Sequence, residues 1–123
     1  MLAEAKAYSG IAVTDMAEAR RFYAETLGLR TSEEYGLMWL HHAGERRTLV
    51  YEQPEASAAS STVLNFEVDD IDEAVAFLRA RGVSLERFAG LDQDDAGVFR
   101  AEGPFIAWFK DPSGNVLSVL QER

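Results

Sequence analysis

Two stretches of the chain repeat one order of apolar and polar positions. They are "GIAVTDMAEARRFYAETLGL" (10–29) and "NFEVDDIDEAVAFLRARGVSL" (65–85). With Val13 set on Val68, Asp15 falls on Asp70, Met16 on Ile71, Glu18 on Glu73, Ala19 on Ala74 and Phe22 on Phe77. The common pattern is V-x-D-[MI]-x-E-A-x-x-F. Six matches inside ten residues mark an internal duplication, which takes precedence over any local reading. Each copy predicts a short strand (Tyr8–Val13; Val63–Val68) followed by an Asp that caps a helix. The Glu three residues on makes a start of the capping-box kind. Met16, Ala19, Phe22, Tyr23 and Leu27 form one helical stripe, and Ile71, Ala74, Phe77 and Leu78 the other. A glycine, Gly28 or Gly82, closes each helix.

Alternating segments follow each helix. They predict strands at 30–35, 37–42 and 46–52 in the first half. The second half has candidates at 84–88, 96–102, 105–110 and 115–121. "FKDPSGNVLSVLQ" (109–121) reads as a hairpin: Asp111 opens its turn, Pro112 presets φ and Gly114 closes it. "EQPEASAASS" (52–61) lacks periodicity and reads as a linker, which divides one domain into modules of about 1–53 and 62–123, joined by 54–61. The order is β-α-β-β-β, twice, an α+β fold. With helices on one side of the sheet, the other side is free to line a cavity.

Composition narrows the function. The chain has 123 residues, 47% of them hydrophobic, enough for a real core. No apolar run is long enough to span a membrane. "MLAEAKAYSG" lacks the basic start and long apolar stretch of a signal peptide, so a cytoplasmic protein is expected. The absence of cysteine removes disulfides, thiolate metal sites and cysteine nucleophiles. A net charge of −9 disfavours nucleic acid and, beyond its service to solubility, favours a cationic small ligand. No nucleophile constellation, phosphate loop or dinucleotide fingerprint is present.

The duplicated V-x-D start and the late F-x-D-P-x-G-N hairpin together resemble the vicinal-oxygen-chelate superfamily of glyoxalases, extradiol dioxygenases and fosfomycin- and bleomycin-resistance proteins. The resemblance covers nearly the whole chain. It implies two βαβββ modules whose curved mixed sheet surrounds a pocket, and a homodimer. It also implies four metal-ligand positions in the enzyme members. Carried over by position, these are Tyr8 and Val63 (each seven residues before a capping Asp), Ser118 (four after the hairpin glycine) and Val50 (four before the proline that ends the first module). Divalent metals take carboxylates, imidazoles or thiolates, and none of the four supplies one. Ser118 stands where a carboxylate belongs. His41 and His42, the only histidines, are adjacent, so on a strand they point apart and cannot converge; two exposed surface residues are expected.

The strand period then sorts the walls. If those four positions face the pocket, Gly10, Ala12, Thr48, Glu52, Asn65, Glu67, Val116 and Leu120 join them, while Ile11, Val13, Leu64, Phe66, Val68, Leu117 and Val119 face the helices. Glu67 is a candidate cation partner or general base, or else lies near the sheet edge, solvated or paired with an arginine such as Arg100. The hairpin register decides whether Phe105 and Phe109 or Trp108 look inward. Trp39 is a further stacking candidate. The expected pocket is therefore Tyr8, Trp39, Val50, Val63, Asn65, Glu67, Phe109 and Ser118, with no metal, no cofactor and no catalytic residue. The expected function is binding of a planar or cationic small molecule. The alternative is a metal-dependent glyoxalase- or dioxygenase-like enzyme whose ligands lie elsewhere, among Glu52, Glu67 or Glu102 with a histidine.

Overall fold

A computed structural model describes residues 1–58 and 60–123. The chain forms two compact units, Met1–Ser57 and Ala58–Arg123. The first runs β1 (Ser9–Val13), α1 (Met16–Arg20), β2 (Arg30–Glu34), β3 (Leu37–His41) and β4 (Arg47–Glu52). Its sheet has the order β1-β4-β3-β2, with β1 parallel to β4 and the other pairs antiparallel. The second runs β5 (Thr62–Glu67), α2 (Ile71–Ala80), β6 (Phe105–Lys110) and β7 (Val116–Gln121), in the order β5-β7-β6. There β5 is parallel to β7, and β6 is antiparallel to it. The fold is α+β, its strands gathered into mixed sheets of four and three.

Both helices start as the repeat predicts. Asp15 accepts a hydrogen bond from the Glu18 amide, and Asp70 accepts from the amides of Asp72 and Glu73. The first helical amide finds its acceptor in a strand. Met16 donates to Glu52 Oε1 and Ile71 to Gln121 Oε1, both at 2.8 Å. Each acceptor ends the strand that lies parallel to the module's first strand, so the helix is tied to its own sheet through a donor it cannot satisfy internally. Beyond Arg20 the first helix loosens into a π-helical turn, Arg21–Thr26. Gly28 and Gly82 take positive φ after the two helices, as a left-handed closing residue requires.

The core of the first unit is Ile11, Val13, Met16, Ala19, Tyr23, Met38, Leu40 and Val50. That of the second includes Ile71, Val75, Leu78, Ala107, Phe109, Leu117 and Val119. Burying each of the larger side chains stabilises by about 1.5–3 kcal/mol. The second helix buries Ile71, Val75 and Leu78, and the expected Phe77 lies outside that stripe, with the Arg81 guanidinium over its ring.

The segments 84–88 and 96–102 do not form the strands expected of them. Single contacts replace ladders: the Glu86 amide donates to the Trp108 carbonyl, and Phe99 bridges Gln93 and Ile106. Side chains in the intervening loop take the bonding capacity a ladder would use. Asp94 Oδ1 accepts from the amides of Ala96 and Val98, while Gln93 Nε2 donates to the carbonyls of Glu86 and Gly97.

The two hairpins extend the duplication past the helices. His42 donates through its amide to the Arg46 carbonyl, and Asp111 donates likewise to that of Asn115. Both turns place their fourth residue at positive φ, Glu45 at 60° and Gly114 at 89°. Asp111 holds its turn further, its Oδ1 accepting from the amides of Ser113 and Asn115 and its Oδ2 from the Asn115 side chain. With His42 set on Asp111, Trp39 falls on Trp108, Leu49 on Ser118 and Glu52 on Gln121.

Candidate functional site

Each sheet has a face covered by its helix and a face turned the other way. In the first unit Ile11 pairs with Val50, Met38 with Val50 and Leu40 with Thr48, so these residues share one face. All are buried, and Glu52 on the same face reaches the start of α1. Val50 is therefore a core residue beneath the helix, which corrects its assignment to the pocket. Thr48 and Glu52 move with it. Placing Val50 four residues before the proline put the strand one step out of phase, and a single step moves every side chain to the opposite face. Leu49, the equivalent of Ser118, holds the open-face position.

On that open face Trp39 pairs with Leu49 and with Ser32. Tyr8 meets Trp39 edge to face, with ring centroids 4.7 Å apart and planes at 74°. Such a pair contributes about 0.5–1.5 kcal/mol beyond burial. The Arg47 guanidinium lies 3.9 Å from the Trp39 ring centroid and 5.4 Å from that of Tyr8. Beside them, the Tyr51 ring lies against Gly10, where an added Cβ would come within 3.3 Å of it. Gly10 thus makes room for an aromatic ring. Tyr8 is 53% exposed, so this cluster is accessible.

In the second unit Asn65 pairs with Ser118, Glu67 with Leu120 and Trp108 with Ser118, which places these together on the open face. Phe109 pairs with Leu117 on the helix side and is buried. This corrects its place in the expected pocket and resolves the hairpin register in favour of Trp108. Ser118 is fully buried and donates to Asn65 Oδ1 at 2.5 Å. Its hydroxyl is committed to a neutral partner. Val63 falls where the register slips between Thr62 and Leu64, an extra residue of the bulge kind. Glu67 is exposed, and Arg100 pairs with Asp72 and Asp94 instead of with it. Trp108 packs edge to face on Phe88 at 5.4 Å.

The histidines point apart, and both are partly buried and bonded, which corrects the expectation of two exposed rings. His41 Nε2 shares a hydrogen bond with Ser32 Oγ at 2.7 Å, and His42 Nε2 shares one with Thr48 Oγ1 at 2.9 Å. Burial, and then the neighbouring His41 charge, hold the His42 imidazole below its usual range. Among the described residues no three His, Asp or Glu side chains come together as a metal-holding group. No helix among the described residues is long and apolar enough to cross a membrane.

The aromatic floor of the first unit was only half visible in the sequence. The sequence pattern points to Trp39 and Tyr8 but not to Arg47, Leu49 and Tyr51. The signal was the alignment of "WLHHAGERRTLVYEQ" with "WFKDPSGNVLSVLQE", which puts both tryptophans of the chain at one position of the repeat.

The topology of the two units agrees with comparison to known proteins. The family model of the Glyoxalase/Bleomycin resistance protein/Dioxygenase superfamily matches residues 6–119, and the chain belongs to that superfamily. No curated protein matches it. Among solved structures it is similar to a glyoxalase family protein from Enterococcus faecalis, at 23% identity and a TM-score of 0.70, covering 98% of this chain and 99% of that one. It is similar to the fosfomycin resistance protein FosX from Mesorhizobium loti, at 12% identity and a TM-score of 0.67, covering 98% and 93%. It is also similar to TnmS3, an antibiotic-binding protein from Streptomyces sp. CB03234, at 23% identity and a TM-score of 0.68, covering 98% of both chains. At these identities the likeness concerns the fold.

Proposed function

We propose that the chain is a small-molecule-binding protein that stacks a planar compound on the open face of its first sheet, without a catalytic metal. The observation that carries this reading is the accessible edge-to-face pair of Tyr8 and Trp39, flanked by Leu49 and Tyr51. An apolar, aromatic wall with few polar groups is what a planar ligand needs. The four carried-over positions, with Leu49 in place of Val50, offer hydrocarbon and hydroxyl groups in place of ion-binding donors. That an antibiotic-binding protein shares the fold adds support. The test is a thermal-shift screen of aromatic antibiotics. At least one compound raises the melting temperature of the native chain and fails to raise that of Trp39→Ala. Absence of stabilisation across a broad panel overturns the proposal. A homodimer accompanies this reading, measured by sedimentation equilibrium.

The second reading, a metal-dependent glyoxalase- or dioxygenase-like enzyme, draws on the superfamily's enzyme members. It requires one tightly held divalent ion per chain when protein purified without chelator is submitted to elemental analysis.

A further inference from the structure

The aromatic floor of the first sheet is bordered by positive charge. The register places Arg30 opposite His41 and His41 opposite Arg47, so three basic residues cross β2, β3 and β4 in one row of the open face. The next row holds Ser32, Trp39 and Leu49. Arg47 leans from its own row onto the Trp39 ring, with Tyr8 in T-shaped contact with that ring.

The chain carries 21 acidic against 12 basic residues, so a guanidinium has many candidate carboxylates. Arg20 takes Glu33, Arg100 takes Asp72 and Asp94, and Lys110 takes Glu86. Arg30 and Arg47 enter no ion pair among the described residues. The acid of β2 that shares their face, Glu34, stands at the other end of that strand. A guanidinium stacked on an indole keeps its in-plane N–H donors available, and their fork matches a carboxylate or similar oxyanion. The local field here opposes the net charge of the chain.

We infer that the ligand of this face is a planar acid: its ring lies against Trp39 and Tyr8, and its anionic group is held by Arg47 with Arg30 and His41 in the same row. This rests on the proposed function and narrows it, in the direction opposite to a cationic compound. Arg47 acts as the specificity-determining residue, because a charge-assisted, forked contact discriminates more sharply than ring stacking, which every flat molecule satisfies.

Three probes with one ring system separate the two claims: 2-naphthoate, 2-naphthylmethanol and 2-naphthylmethylammonium. Each is titrated into the native chain while the indole N–H resonances of Trp39 and Trp108 are followed by NMR. The expected order is acid, then alcohol, then amine. About tenfold in affinity separates acid from alcohol at low salt, and the Trp39 resonance moves. In Arg47→Gln the acid falls to the level of the alcohol while alcohol binding persists; Arg30→Gln narrows the same gap by less. Arg47 is exposed, so neither variant threatens the core, and the melting temperature of each is checked. Equal affinities for acid and amine, or an acid preference that survives Arg47→Gln, overturn the inference and leave the planar-ligand reading standing. If no probe binds, or only the Trp108 resonance responds, the site assignment itself fails and the inference with it.

Discussion

The two sheets place a tryptophan at the same point and surround it differently. Trp39 in the first faces Leu49, is edged by Tyr8 and is stacked by Arg47. Trp108 in the second faces Ser118, whose hydroxyl bonds Asn65, and packs on Phe88 from the irregular segment after α2. One scaffold thus carries a basic aromatic surface in one copy and, in the other, a surface built on the Ser118–Asn65 hydrogen bond with Glu67 at its end. The shared parts are those each module needs in order to fold: a capping Asp, a strand-end oxygen for the first helical amide, and a hairpin whose fourth turn residue is left-handed. The parts that differ are open-face side chains, which the backbone does not constrain. Function on a duplicated fold diverges there first.

The sharpest way to break the comparison is at the phase of β4. Val50→Asp buries an unpaired carboxylate under the helix and costs about 3–5 kcal/mol, whereas Leu49→Asp on the open face costs about 1 kcal/mol. Urea denaturation distinguishes them, and equal losses would return Val50 to the open face. The hairpins provide a second, smaller test. Gly114 sits at φ 89° with the Ala58 Cβ 3.2 Å from where its own Cβ would be, so Gly114→Ala destabilises by about 1–2 kcal/mol. Glu45 occupies the matching left-handed position with a side chain, so Glu45→Gly stabilises by at most about 1 kcal/mol. Opposite signs in melting temperature confirm that both turns hold their fourth residue in the left-handed region.

The gentlest effect comes from pH. His42 in the folded chain titrates below the value of about 6.5 that it has when unfolded. As pH falls, the unfolded chain binds the proton first. The stability due to this residue is therefore complete above about 6.5 and is lost as pH drops from there through the folded pKa. Urea midpoints measured from pH 7.5 down to 5 fall more steeply for the native chain than for His42→Gln. Parallel curves would contradict the assignment.

Most of the architecture was legible because it is written in local rules. The V-x-D-[MI]-x-E-A pattern specifies a strand, a cap and an amphipathic helix within one window, and both copies fold that way. The strands of the first module follow from alternation, and the Asp111–Gly114 turn from its residue chemistry. The strands expected at 84–88 and 96–102 failed because Gln93 and Asp94 satisfy nearby backbone groups with their side chains, a competition that alternation does not register.

What the sequence alone determined is the superfamily, the order of elements and which residues start and stop the helices, since these depend on neighbours a few positions apart. Tertiary structure decided the phase of β4, the open-face position of Trp108 rather than Phe109, and the meeting of Arg47 with Trp39 and Tyr8. Those outcomes depend on cross-strand register, which places residues far apart in the chain within a few ångströms. A pairing shift of one residue reverses them while leaving the local pattern of each strand unchanged.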